Sequence, residues 1–297
     1  MILPFTIYDL RFTICRKSEE FSAFNHQSSI INHKFRRAFT IIELLTVLGI
    51  MAVLAALAVP ALKNFGRADA MTAATQQMLN DVSRARQLAI SRRTTVYMVF
   101  VPTNFWQGLN TSVQSEPATT NLCDKQMTGY TFASYGAVGD QPGQHLWHYL
   151  APWQALPEGA CIAEQKFNQG TWPNAPYTVT DPFNNTRGYN IYGFNLTNSL
   201  PFPTETNSVP VNYFLPYIAF NYLGQLTDDG QTMAARHEYI PLARANIVPG
   251  VDAETKTFQL RSPQVIESPP GNSTNAYNII DIDPLTGRAT LQQPKMQ

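Results

Sequence analysis

The chain has 297 residues, with 21 basic and 21 acidic side chains, a formal net charge of zero and 14% charged residues. That length allows one or two domains with a sizeable core, and the sparse, balanced charge gives no electrostatic reason to expect nucleic acid as a partner. Pro, Asn, Thr and Tyr are frequent after about residue 100 and long apolar runs are few, which suits a loop-rich, strand-containing extracytoplasmic head better than a helical cytosolic enzyme.

In chain order, residues 1–38 carry six basic groups (Arg11, Arg16, Lys17, Lys34, Arg36, Arg37) and three acids (Asp9, Glu19, Glu20), net +3, and the remainder carries net −3. The basic flank stands directly before the only long apolar run, Phe39–Leu62, 24 residues with one charge, Glu43. A helix needs roughly 20 apolar residues to span a bilayer core, and a basic flank holds its end on the cytoplasmic side. A single-pass segment is therefore expected, with the N-terminus cytoplasmic and everything after Leu62 outside. An ordinary cleaved signal peptide has a shorter apolar region, about 7–15 residues. It also lacks a carboxylate at membrane depth, which costs a few kcal/mol by insertion scales and is usually kept because something pairs with it.

The helical pattern continues past the apolar run. Met71, Ala74, Met78, Val82, Ala85 and Ala89 recur at three- and four-residue spacing, with Arg67, Asn80, Arg84 and Arg92 elsewhere on the helix. This predicts one helix from about Phe39 to Arg93, apolar all round over 39–62 and amphipathic over 63–93. Pro60 lacks the backbone N–H that would continue the ladder and is expected to weaken or kink the helix.

The segment Arg36-Arg37-Ala38-Phe39-Thr40-Ile41-Ile42-Glu43-Leu44-Leu45 resembles the processing site of type IV prepilins and type II secretion pseudopilins. In that family a basic leader and a small residue, usually Gly, precede Phe-Thr-x-x-Glu at the head of an apolar helix. The resemblance implies that prepilin peptidase cuts between Ala38 and Phe39 and that the new amine of Phe39 is methylated. Glu43 then becomes the fifth residue of the mature chain, with a role in assembly, and Pro60 the twenty-second. Ala38 replaces the usual Gly. The leader, residues 1–38, is long, and the true start is expected downstream of Met1 at a codon other than ATG, because no other Met precedes Met51. A second stretch, Ala73–Phe100, resembles the GspH/FimT group of minor pilins and pseudopilins, whose helix end runs into a first strand. Tyr217–Gly224 and Ile280–Ala289 resemble strand-turn segments of that group. The implied fold is α+β and pilin-like, a long N-terminal helix packed on an antiparallel β-sheet head.

Read without the family, the head spans 94–297. Thr94–Val101 is β-branched and aromatic, and Pro102 closes it, so it reads as the first strand. Residues 103–210 read as an irregular insertion with short strands. Later strands are expected at Tyr213–Phe220, Glu238–Leu242, Thr257–Leu260, Tyr277–Ile282 and Ala289–Leu291, the last two joined as a hairpin by the turn chemistry of Asp283-Pro284-Leu285-Thr286-Gly287.

His145 and His148 form a His-x-x-His pair, but ligation needs a third ligand and none has suitable spacing, so a surface or packing role is expected. Asp228, Asp229, Asp281 and Asp283 lack the dense oxygen pattern of a calcium loop and read as turn and loop acids. No Gly-rich phosphate loop, nucleophile elbow or paired catalytic acid motif occurs. No enzyme activity, metal or cofactor is expected. Cys15 falls in the leader. Cys123 and Cys161 fall in the head, where disulfides persist; a bridge and two free buried thiols are both compatible with the sequence.

Two functions stand at this point. The first is a structural subunit, a minor pilin or pseudopilin of the inner membrane with a periplasmic head, whose partners are prepilin peptidase and other pilin-type subunits, working in type II secretion or type IV pilus assembly. The second is a membrane-anchored binding or adhesion module that uses the same export route, motivated by Trp106, Trp147, Trp153 and Trp172.

Overall fold

The computed structural model describes residues 40–292 except 138, 142–145, 169, 172, 181–187, 206–210 and 276–277, and the side chains of 57–69, 180 and 275 also lie outside the description. The chain divides into two compact units, Met1–Ala55 and Ala56–Gln297.

Within the first unit, the described part is the beginning of helix α1, Ile41–Arg92. The Thr40 hydroxyl accepts a hydrogen bond from the Glu43 N–H at 3.3 Å, an N-cap that satisfies one of the helix's orphan donors. The helix is assigned without a break through Pro60. It ends at Arg93, which takes a left-handed φ of 52°. The Thr94 N–H then reaches the Ala89 carbonyl, and the Arg93 N–H the Ile90 carbonyl. That pair of bonds is a Schellman motif, which turns the chain out of the helix and into a strand.

The second unit holds the rest of α1 and sixteen strands among the described residues. In chain order they are β1 (Val96–Phe100), β2 (Gly129–Tyr135), β3 (Trp147–Tyr149), β4 (Gln154–Ala155), β5 (Cys161–Ile162), β6 (Tyr177–Thr180), β7 (Gly188–Ile191), β8 (Ser199–Phe202), β9 (Val211–Phe214), β10 (Tyr217–Phe220), β11 (Leu226–Thr227), β12 (Glu238–Ala243), β13 (Ala245–Val248), β14 (Gln264–Glu267), β15 (Asn278–Ile282) and β16 (Ala289–Gln292). One sheet has the order β11-β10-β1-β2-β3, with β4 also on β2; a second has the order β16-β15-β12-β5; three hairpins, β6–β7, β8–β9 and β13–β14, complete the set. Every described pairing is antiparallel. A helix on antiparallel sheets is an α+β arrangement, and it fits a pilin-like fold.

The core follows from side-chain alternation. On β1, Val96, Met98 and Phe100 share one cluster with Tyr130 and Phe132 of β2, Ile240 and Leu242 of β12, Ile280 and Ile282 of β15, and the helix stripe. All six stripe residues, Met71, Ala74, Met78, Val82, Ala85 and Ala89, are buried, while Asn80, Arg84 and Arg92 are exposed; Arg67 lies outside the described side chains. The intervening residues of β1, Tyr97 and Val99, face a second cluster with Phe105, Trp106, Leu109, Val113, Leu122 and Leu200. β1 is therefore buried on both faces, by α1 on one and by chain from 103–210 on the other. A strand covered on both sides has no polar face, so it reads as an unbroken apolar run.

Two expectations need correction. Tyr213–Phe220 is two strands in two different sheets, because Pro216 has no N–H to continue the ladder. Thr257–Leu260 forms no strand: Phe258 makes a single bridge to Val251 across the Asp252–Lys256 turn, and Phe258 and Leu260 pack against the second cluster. The stretch 103–210, read as an irregular insertion with short strands, does hold short strands, and its β2 pairs with β1 from Tyr130 to Ser134 and sits in the middle of the larger sheet. The hairpin at Asp283–Gly287 forms, with Ile282 opposite Ala289. Its Gly287 has φ +63°, and a Cβ there would fall 2.0 Å from the Gly224 carbonyl oxygen, so two turns meet at a point only glycine can occupy.

Candidate functional site

Ala38 and Phe39, the expected processing pair, lie outside the described residues. Glu43 stands in the first turn of α1 and is exposed. Around it every large apolar side chain from Ile41 to Leu54 is exposed, from 48% at Val47 to 83% at Ile41. A helix apolar on all sides has no face that water tolerates and demands lipid or other helices around it. Among the described residues no helix is long and apolar enough to cross a membrane; of the run 39–62, side chains are described only over 40–56.

In the second unit the amphipathic part of α1 is keyed to the head by polar contacts that sequence reading did not find. The Tyr130 hydroxyl donates to Asp81 Oδ2 at 2.5 Å, and Gln77 Nε2 donates to the Tyr130 hydroxyl at 2.7 Å and to the Ala155 carbonyl at 3.0 Å. Burial, followed by the hydrogen bond to Asp81, raises the Tyr130 pKa above its ordinary value, so the phenol stays a donor. Asn278 donates to the Thr75 hydroxyl at 3.0 Å, and Arg86 Nε to the Thr286 carbonyl at 2.6 Å. These contacts fix the rotation of the helix on both sheets, since apolar packing alone is not directional. The one available sequence signal was polar residues interrupting the stripe side at Thr75, Gln77 and Asp81.

The remaining candidates separate. His145 lies outside the described residues. His148 Nε2 is 3.2 Å from Asp140 Oδ2 and its Nδ1 is 3.6 Å from Glu205 Oε2. Among the described residues no group of three or more His, Cys, Asp or Glu could hold a metal ion. Asp228 accepts from Asn195 and pairs with Arg236 at 3.2 Å, and Asp281 pairs with His237 Nδ1 at 2.7 Å. Asp229 and Asp283 cap turns, as does Asp252. Trp106 is buried, Trp147 and Trp153 are half-buried against the second cluster, and Trp153 Nε1 donates to the Pro203 carbonyl at 3.0 Å; Trp172 lies outside the described residues. The described tryptophans are packing residues first.

The turn acids set an acid limit. The Asp229 carboxylate accepts the N–H of Gln231 and of Thr232 and both threonine hydroxyls, Thr232 and Thr227. These bonds, led by Gln231, hold its pKa below the ordinary 3.8. Asp252 and Asp283 are lowered in the same way, first by the N–H of Thr255 and of Thr286. A carboxylate whose folded pKa is depressed adds stability above its unfolded pKa and loses it as pH falls through the folded value. The melting temperature is therefore expected to decline from about pH 4 downward, and less steeply in Asp229→Asn/Asp283→Asn. A melting temperature unchanged down to about pH 2 contradicts this.

Cys123 and Cys161 are both buried and free, in different core clusters, so the structure has the unbridged alternative. Cys123 follows the turn at Leu122 into the Tyr97 cluster, whereas Cys161 sits in β5 opposite Ala243. Burial pushes their pKa values up to about 11 and about 12. The thiolate is the reactive form, so both thiols are expected to resist alkylation in folded protein and to react, two per chain after removal of the leader, once it is denatured without reductant. A mass that stays unlabelled after denaturation reveals a bridge.

One feature of the head gave no sequence signal. Lys166, in the short helix Gln165–Asn168, is fully buried. Its ammonium pairs with Glu238 at the start of β12, donates to the Tyr192 carbonyl at 2.6 Å and lies 4.6 Å from the Phe194 ring. Glu238 also faces Arg236 at 3.6 Å, which in turn pairs with Asp228. Burial pulls the Lys166 pKa down and Glu238 opposes it. A lone lysine in a loop sequence is read as solvated; only the fold shows it as a strut between chain from 103–210 and the second sheet.

Residues 33–59 match the family model described as the prokaryotic N-terminal methylation motif. The match covers the basic flank, Ala38, Phe39, Glu43 and most of the apolar run, and it supports a type IV pilin-like precursor. Such a motif implies processing by a prepilin peptidase, anchoring in the inner membrane through the N-terminal region before assembly, and assembly with other pilin-type subunits in general. Comparison with curated proteins and with solved structures gave no match.

Proposed function

We propose that this protein is a structural subunit, a minor pilin or pseudopilin of the GspH/FimT type, of a filament that serves type II secretion or a type IV pilus, and that it carries no catalytic activity. The observation that carries the reading is the methylation motif placed on a capped helix whose apolar side chains are exposed all round, with one carboxylate, Glu43, near its start. In the reading, the peptidase removes residues 1–38, the methylated amine of Phe39 becomes the new terminus, and the apolar helix passes from lipid to the packed helices of a filament while the head stays periplasmic. The Schellman turn from α1 into β1 supports the GspH/FimT assignment, since that group runs its helix end into the first strand. Trp106 is buried and Trp153 is held by the Pro203 carbonyl, so these two lend the adhesion alternative no support, whereas Trp147 lines an open cleft of the head.

Mass spectrometry of the protein extracted from its host membrane tests the reading. The expected N-terminus is methylated Phe39. An intact leader, or a terminus after Leu62, overturns it.

A further inference from the structure

A cleft of about 620 Å³ opens in the head beside β1, β2 and β3. Its size falls within the range of ligand sites, roughly 300–1,000 Å³. One wall is aromatic. Tyr97 and Tyr135 flank Trp147 with ring centroids 4.9 and 5.0 Å away, and Phe214 completes the lining. Tyr135 and Phe214 are 43% and 55% exposed, so aromatic surface is left open where the cleft meets solvent.

The rest of the lining is amide and hydroxyl. Asn198 donates to the Tyr97 and Tyr217 hydroxyls at 3.4 and 3.0 Å, which orients its amide. The side chains of Asn212 and Gln231 make no hydrogen bond with described residues. Among the described lining residues Asp229 is the one charged side chain, and its oxygens already serve the Thr227–Thr232 turn. Among the described residues the lining has no lysine, arginine or histidine.

This chemistry selects among ligand classes. An anion meets no cation and one carboxylate. A cation meets a carboxylate whose oxygens are already hydrogen-bonded. Asn212 and Gln231 are exposed, and a wholly apolar ligand that covered them would take their amides from water without offering a partner. A ligand with apolar C–H faces and a rim of hydroxyls suits both walls: its faces lie on the aromatic rings, and its hydroxyls both donate to and accept from the amides. We propose that the cleft between Trp147, Tyr135, Phe214 and the amides of Asn212 and Gln231 binds an uncharged saccharide. The site belongs to the head alone and does not depend on the filament reading.

The test uses the whole protein in detergent, titrated with neutral gluco-, manno-, galacto- and N-acetylglucosamine oligosaccharides while tryptophan fluorescence is followed. Oligogalacturonate and polyethylene glycol serve as the anionic and non-saccharide controls. At least one neutral oligosaccharide is expected to bind saturably, and Tyr135→Ala/Asn212→Ala to weaken it roughly tenfold or more. Tyr222→Ala, an exposed aromatic outside the cleft, is expected to bind as wild type. If the double variant fails to fold, Phe214→Ala and Gln231→Ala repeat the test singly. Absence of binding across the neutral panel, equal binding of either control, or undiminished affinity in the cleft variants overturns the proposal.

Discussion

Glu43→Val is expected to leave the precursor cleaved and membrane-inserted while its incorporation into filaments falls about tenfold or more. Glu43 stands in the first turn of α1 as the one charge of the apolar run Phe39–Leu62, and it is exposed in the single chain. In lipid or among packed helices an unpaired carboxylate is costly to bury. Under the proposed function, cleavage after Ala38 would create a cation at Phe39, and methylation would keep it charged. In such a filament, helices that stack with an axial offset would bring the Glu43 of one subunit to the amine of the next. Two unit charges at about 4 Å attract by about 1 kcal/mol in water and about 4 kcal/mol where the effective dielectric constant is near 20, enough to set the register of an incoming subunit. Glu43→Asp is expected to be partly tolerated at best, because the arm is one methylene shorter. The measurement is the ratio of filament-borne to membrane-borne protein, with the N-terminus checked by mass spectrometry. Normal incorporation of Glu43→Val at wild-type membrane levels shows that Glu43 serves processing or its own subunit's amine instead.

Glu238→Ala is expected to destabilise the head by about 3–5 kcal/mol, because it leaves the Lys166 ammonium buried without its counter-charge. Lys166 keeps the Tyr192 carbonyl and the Phe194 ring, neither of which balances a full charge. Lys166→Met/Glu238→Leu removes both charges and fills the space with apolar atoms. It is expected to recover most of the loss, since a buried pair exchanged for apolar residues is often close to neutral. Arg236 retains Asp228 and the Tyr192 ring in that variant. Denaturant titration of the four members of the double-mutant cycle measures the coupling. A Glu238→Ala midpoint close to wild type shows that the pair does not hold the short helix to β12.

The amphipathic half of α1 was legible in the sequence because helix geometry writes itself as a period. Six residues from Met71 to Ala89 fall on one stripe for that reason alone, and all six are buried. The processing motif was legible because it is read by an enzyme as linear sequence. The β15–β16 hairpin was legible because Asp283 and Gly287 carry their turn chemistry locally: the Asp283 carboxylate accepts from Thr286 at 2.7 Å, and Gly287 supplies the positive φ. β2 was not legible, although Tyr130 and Phe132 are strand formers, because both faces of the larger sheet are covered and the alternation that marks a half-buried strand is erased. Nor could sequence place Lys166 beside Glu238, 72 positions away, or bring Tyr135, Trp147, Asn212 and Gln231 to one cleft. Local chemistry and period were determined by the sequence itself. The tertiary structure alone decided what meets across long loops, because those contacts come from non-directional apolar burial fixed by a few polar keys such as Tyr130–Asp81.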